Sequence, residues 1–129
     1  MVQEPAQDGC ELISDPRYLV GIELLNRGAY FEAHEVLEEI WTPSHGRDRF
    51  FLQALIHYAV AFHHADLGNF LGASLQLEKG LRKLAGYLPW HQNLDTASLY
   101  ADGQEALARI LSGDRGGWDC KLRVAPKGE

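Results

Sequence analysis

The chain has 129 residues, of which 46% are hydrophobic and 23% are charged, and this length and composition predict a single globular domain with a packed core. Its formal net charge is −6 and it has no cluster of lysine or arginine, so we expect no nucleic-acid partner and no binding to an anionic membrane surface. The two cysteines, Cys10 and Cys120, lie near opposite ends outside any C-x-x-C pair, which argues against a disulfide framework and a thiolate metal site and favours a cytoplasmic location.

Two helices are predicted in the first third of the chain. Asp15 and Pro16 provide an N-cap and a proline at the first helical position, and the apolar residues after them carry the helix to Gly28. The second helix begins at about Tyr30 and has to end before Pro43, because proline disfavours the helical conformation of the residue that precedes it.

Three further helices are predicted over residues 47–67, 70–85 and 96–111. The first of these three is apolar nearly all round, which indicates a central position in the fold. No alternating strand pattern of useful length occurs before residue 121. The predicted fold class is therefore all-α, a compact bundle of about five helices.

The helical domain is expected to span residues 14–112, between an N-terminal extension over residues 1–13 and a C-terminal tail over residues 113–129. The first residues lack a basic region followed by an apolar core, and histidines interrupt the longest apolar runs. We therefore expect neither a targeting signal nor a membrane span.

A weak internal repeat relates the second and fourth predicted helices. Residues 28–33 read GAYFEA and residues 68–73 read GNFLGA, at an offset of 40 residues. A glycine ending one helix, an aromatic residue at the turn and an alanine at the crossing are typical of helical hairpins. The repeat predicts two successive hairpins that resemble tetratricopeptide-type packing, although a solenoid usually needs three or more.

A polar pair lies on the apolar face of the second predicted helix. His34 and Glu38 stand four residues apart, so their side chains share one face. A helix turns about 100° per residue, which places Tyr30, Leu37 and Trp41 around this pair. The remaining glutamates of the helix fall on another side: Glu32, Glu35 and Glu39. Because Glu38 is directed toward apolar side chains, we expect a buried carboxylate with a partner, and hence a site.

The third helix carries a polar stripe that could complete such a site. Gln53, His57 and His64 lie within about 40° of one another, because seven residues come close to two full turns. If the two helices pack side by side, the stripe faces His34 and Glu38. Imidazoles and a carboxylate suit Zn²⁺, Mn²⁺ or Fe²⁺, and coordination positions left open to water would imply hydrolytic or redox chemistry.

A structural interpretation competes with the metal site. Glu38 could accept a hydrogen bond from a histidine, and the stripe could then be a buried polar network that orders the helix packing. A single H-x-x-x-E occurs often by chance, and spacing alone favours the structural interpretation. The histidines at positions 45, 63 and 91 are not assigned to the site, since His63 points away from His64 and the other two lie in loops.

Several of these features occur together in one known family. The sequence resembles the bacterial and archaeal domain of unknown function family 309 over about residues 14–112, on an H-x-x-x-E-x-x-W motif and the segment after it. The residues that carry the resemblance are Tyr30, His34, Glu38, Trp41, Gln53-Ala54-Leu55, Ala59, Ala61, His63-His64, Gly68-Asn69 and Ala73. The resemblance implies a five-helix bundle whose motif, here His34, Glu38 and Trp41, has been proposed to bind metal without an established activity.

Two functions of different class remain open. In the first, His34 and Glu38 are the first ligands of a divalent-metal or small-ligand site, with metal-assisted hydrolysis as the reaction it would support. In the second, the chain is a helical-hairpin adaptor that binds a protein partner or its own copy, and the His/Glu motif is structural. Loss of bound metal on substitution of His34 favours the first function, and an exposed apolar patch favours the second.

Overall fold

The computed structural model describes residues 12–114, and five long α-helices run through them. They are α1 (Pro16–Asn26), α2 (Tyr30–Trp41), α3 (Arg47–Asp66), α4 (Phe70–Leu84) and α5 (Thr96–Leu111), with a 3₁₀ turn at Ala85–Tyr87. The all-α class is confirmed, since the one extended pairing within residues 12–114 is the isolated bridge between His91 and Leu94.

The helix ends lie where capping residues and glycines predict them. The Asp15 side chain accepts a hydrogen bond from the backbone N–H of Arg17, with proline following the cap, and Asp95 accepts one from Ser98. Gly28 and Gly68 follow α1 and α3, and both have φ +81°, the left-handed conformation that glycine adopts without strain.

Each helix packs mainly on the next one in the chain, and the most extensive contact is between α3 and α4. Helix α3 is central as predicted, because it carries ten buried residues. Ala33 and Ala73, equivalent in the repeat, are both fully buried. Gly21 lets Leu37 of α2 approach α1, since a Cβ atom there would lie 2.8 Å from the leucine side chain.

Three tyrosine hydroxyls tie together parts of the chain that are distant in sequence. Tyr18 donates to the backbone carbonyl of Gln92 (2.7 Å), and Tyr58 donates to that of Leu99 (3.0 Å). Tyr87 donates to the carbonyl of Arg47 (2.8 Å). The Tyr18 bond joins α1 to the loop before α5, and the Tyr58 bond joins α3 to α5. The Tyr87 bond joins the 3₁₀ turn after α4 to the start of α3. The helices therefore pack as a closed bundle.

The predicted N-terminal extension and C-terminal tail lie outside the described residues, apart from Leu12 to Ile13 and Gly113 to Asp114, and so do both cysteines. Leu12 is buried and belongs to the core. Among the described helices, none combines the length and the apolar character needed to cross a membrane.

Candidate functional site

The motif pair forms on α2 as predicted. The Nε2 atom of His34 lies 3.3 Å from the Oε2 atom of Glu38, one turn further along the helix. The prediction of a buried carboxylate is wrong, because the Glu38 side chain is 49% exposed and that of His34 is 24% exposed. The pair lies at the edge of the buried face of α2, since Glu38 is rotated about 100° from the fully buried Leu37. Both groups are therefore accessible to a ligand from solvent.

Trp41, the last position of the motif, packs against a residue that sequence patterns do not indicate. The guanidinium of Arg49 lies 4.1 Å from the centre of the Trp41 ring, a cation–π stack. One of its nitrogens also donates to the backbone carbonyls of Trp41 (3.1 Å), Thr42 (3.4 Å) and Ser44 (3.3 Å). Arg49 thus satisfies carbonyls at the C-terminal end of α2 and holds the following loop in place.

The four predicted metal ligands do not come together. The Nδ1 atom of His57 is 2.8 Å from Oε1 of Gln76 on α4, so this imidazole faces α4 rather than the motif. Burial lowers the pKa of His57, and Lys83 and Lys79 of α4 lower it further, although the hydrogen bond that the imidazole donates to Oε1 of Gln76 opposes them. Within residues 12–114, no group of three or more His, Cys, Asp or Glu side chains is placed to hold a metal ion.

His64 also lies away from the motif, and a different histidine takes its place beside α2. The Nδ1 atom of His64 is 3.4 Å from the Asn69 amide in the turn after α3. The ring of Phe31 instead lies 5.3 Å from that of His63 and 5.7 Å from that of His34. Spacing within one helix cannot show which side of α3 meets α2, so it does not predict the position of His63 beside α2.

Contacts at both ends of the α2–α3 pair define its register. Trp41 is level with Arg49 at one end, and Phe31 is level with His63 at the other, so the helices are antiparallel. Gln53 lies on α3 between these two contacts and is half-buried. We name the surface between the two helices the motif groove, formed by Phe31, His34, Glu38 and Trp41 of α2 and by Arg49, Gln53 and His63 of α3.

Tyr30, also predicted to line the site, belongs to the core. It is buried, and its ring lies 5.5 Å from that of Phe62 of α3. It thus fixes the packing of α2 on α3 beneath the motif groove. The other predicted lining residues, Trp41 and Gln53, are half-buried.

A second feature lies at the C-terminal end of α2, where a cavity of about 220 Å³ opens beside the 42–46 loop. Its apolar wall consists of Leu12, Ile40 and Pro43. Its polar wall consists of Asp15, Arg17, Ser44, His45 and Asp48. We name it the loop cavity.

Asp48, in the first turn of α3, connects the loop cavity to a buried polar cluster. Its Oδ1 atom accepts a hydrogen bond from Nε2 of Gln92 (3.0 Å) and lies 3.5 Å from Nε2 of His91. The His91 ring is enclosed by Phe51 and Tyr87, with ring centres 4.6 Å and 4.8 Å away. Sequence reasoning missed this cluster because His91 and Gln92 are about 44 residues from Asp48 in a loop without regular periodicity.

The fold and the motif together define an all-α protein of two helical hairpins and a closing helix, with a histidine–glutamate pair on its second helix. Residues 18–75, somewhat less than half of the chain, match the model of the family described as Domain of unknown function (DUF309), which confirms the predicted family resemblance over this segment. The matched residues include all of α2 and α3, and therefore both sides of the motif groove. Comparison with curated proteins found no match.

Proposed function

We propose that this chain binds a divalent metal ion at the motif groove through His34 and Glu38. The observation that carries the proposal is the 3.3 Å separation of Nε2 and Oε2. Adjacent donor atoms of a tetrahedral zinc site, each about 2.0–2.1 Å from the metal, are separated by about 3.3 Å. The pair can therefore chelate an ion without rearranging its helix.

The composition of the groove suits an open site rather than a closed structural one. Two side-chain donors occupy two coordination positions and leave the others to solvent and substrate, whereas a typical catalytic zinc site has three protein ligands and one open position. A bound divalent ion supplies Lewis acidity for hydrolysis. Gln53, on α3 between Arg49 and His63, and His63, beside Phe31, are the groove residues that would bind and orient a small polar substrate there.

Isothermal titration of the metal-free protein with Zn²⁺ and with Mn²⁺ tests this proposal. We expect saturable binding of one ion, lost in His34→Ala and weakened at least about tenfold in Glu38→Gln, because each removes one of two donors. Glu35→Gln is the matched control, since Glu35 is an exposed carboxylate on another side of α2. His57→Gln should also retain the affinity. Absence of saturable binding, or equal loss in Glu35→Gln, would contradict the metal site.

As a second candidate we propose self-association through the exposed face of α4. Leu71 of α4 is 72% exposed, Leu75 one turn further along is half exposed, and Leu67, in the turn before α4, is 71% exposed. Large exposed leucines at helical spacing are typical of contact surfaces. The same face bears the exposed Lys79, while Glu32 is exposed on α2, so charges on two copies could pair.

Light scattering after size exclusion distinguishes this candidate from the metal site. A second copy docked on α4 predicts a dimer that Leu71→Glu converts to a monomer, because a buried unpaired charge opposes association. Leu111→Glu, at another highly exposed leucine, is the control and should leave the dimer intact. A monomeric wild-type chain at high concentration would contradict self-association without affecting the metal proposal.

A further inference from the structure

Among the described residues, Asp48 makes hydrogen bonds through one of its two carboxylate oxygens. Its side chain is 10% exposed, and Oδ1 is occupied by the hydrogen bond from Gln92. Within residues 12–114, no protein donor lies within hydrogen-bond distance of Oδ2. The 3.5 Å separation from His91 is too long for a good hydrogen bond, and Nε2 of His91 is itself buried without such a bond in the described part of the chain. Oδ2 itself remains accessible, so it can accept a hydrogen bond from a ligand in the loop cavity.

The other charges on the loop cavity wall compensate each other. The guanidinium of Arg17 donates to both oxygens of Asp15, at 3.1 Å and 2.8 Å, in a two-point contact. This contact lowers the pKa of Asp15, so the pair is an ion pair at neutral pH. Within residues 12–114, Asp48 has the His91 imidazole nearby but no lysine or arginine within ion-pair distance, so the cavity favours a positively charged ligand.

The rest of the wall is apolar and preformed. Leu12, Ile40 and Pro43 provide an aliphatic surface opposite the carboxylate. The loop that carries Pro43 is held by Arg49 through three backbone carbonyls, and the Ser44 hydroxyl donates to the carbonyl of Ile40 (2.7 Å). Because this loop is already held in place, a ligand that binds in the loop cavity does not have to offset the entropy cost of ordering it.

We propose that the loop cavity binds a small protonated aliphatic amine, with its ammonium group on Oδ2 of Asp48 and its alkyl chain on Leu12, Ile40 and Pro43. An ammonium ion donates three hydrogen bonds and needs only one carboxylate. A divalent cation such as Ca²⁺ takes six or more oxygen ligands, which one free carboxylate oxygen does not supply. This site lies on the loop side of α2 and is separate from the motif groove.

Titration calorimetry with n-butylammonium tests the proposal, with 1-butanol and butyrate as uncharged and anionic ligands of the same size. We expect saturable binding of n-butylammonium alone. Asp48→Asn should weaken it at least about tenfold, because hydrogen bonds to a charged group are the stronger kind. Asp66→Asn, at an exposed aspartate at the end of α3, is the matched control and should leave the affinity unchanged.

A second variant keeps the test decisive if Asp48→Asn folds poorly. His45 is an exposed residue of the cavity wall that makes no hydrogen bond to Asp48, and His45→Trp places a larger side chain in the cavity. It should abolish n-butylammonium binding while the circular dichroism spectrum and thermal midpoint stay as in the wild type. The proposal is overturned by no saturable binding to the wild type, by equal binding of 1-butanol, or by unchanged affinity in a folded His45→Trp protein. Glu38→Gln, which weakens the metal site, should leave amine binding intact.

Discussion

The packing of Tyr58 depends on the absence of a side chain at position 103. Tyr58 is buried, and its hydroxyl lies directly against Gly103 of α5 while donating to Leu99. A Cβ atom there would also lie 3.0 Å from Leu81. We expect Gly103→Ala to lower the free energy of unfolding by roughly 1–3 kcal/mol, as overpacked core positions do, measured by urea denaturation.

Gly86→Ala is the matched control for this substitution. A Cβ atom at Gly86 meets nothing within 4 Å, so we expect a change within about 0.5 kcal/mol. Adding Tyr58→Phe to Gly103→Ala removes the hydroxyl that overlaps the new methyl group, so the double variant should lose less stability than the sum of the two single variants. Additive losses would show that Tyr58 and Gly103 are not in contact.

His57 gives the stability a defined dependence on pH. Burial lowers its pKa in the folded state below the value of about 6.5 for an unfolded histidine. Between these two values the unfolded chain binds a proton that the folded chain does not, so stability falls as the pH falls below about 6.5. Denaturation at several pH values should show this loss in the wild type and a smaller loss in His57→Gln. An identical pH profile for both proteins would mean that another group is responsible.

At the scale of helices, the end of α2 depends on one arginine. Arg49 stacks on Trp41 and donates to three carbonyls, a geometry that a planar guanidinium can satisfy and a lysine ammonium cannot. We expect Arg49→Lys to lower the free energy of unfolding by roughly 1–2 kcal/mol. Arg82→Lys, at an exposed arginine on α4, should change it by less than about 0.5 kcal/mol. Equal effects of the two substitutions, measured by urea denaturation, would argue against this role for Arg49.

Helix positions were predictable from the sequence because their signals are local. Asp15, Gly28 and Gly68 act on the backbone within a few residues, and the helices begin and end beside them. The orientation of α3 was not predictable in the same way. His57 and His64 share a side of the helix as predicted, but packing against α4 decides that His57 faces Gln76, and periodicity within α3 contains no information about its neighbours.

In the candidate site too, contacts between residues close in sequence were predictable, and contacts between distant residues were not. The i, i+4 spacing of His34 and Glu38 is sufficient to predict that they meet. The cluster of Asp48 and His91 depends on the path of the loop that follows α4, which contains two residues with positive φ, Gln92 and Asn93. Such a path is set by tertiary contacts, so the sequence alone could not show that the loop returns to the start of α3.

For the molecule as a whole, the buried tyrosine bonds stabilise contacts between distant segments. Tyr18→Phe leaves the buried carbonyl of Gln92 without its donor, so we expect a loss of roughly 1–2 kcal/mol. Hydrogen exchange should then show faster exchange in α1, because that bond joins α1 to the loop before α5. Tyr100→Phe, at a half-buried tyrosine, is the control and should leave exchange in α1 unchanged.

The hydroxyl groups of Tyr18 and Tyr87 also make the stability of the fold depend on pH in the alkaline range. Burial raises the pKa of both Tyr18 and Tyr87, so each stays protonated in the native state at a pH where an unfolded tyrosine, with a pKa of about 10, ionises. The stability that they contribute is fully present below about pH 10 and is lost as the pH rises above it. Tyrosinate absorbance from these two residues should therefore emerge together with unfolding, so alkaline titration reports the opening of the bundle without an added probe.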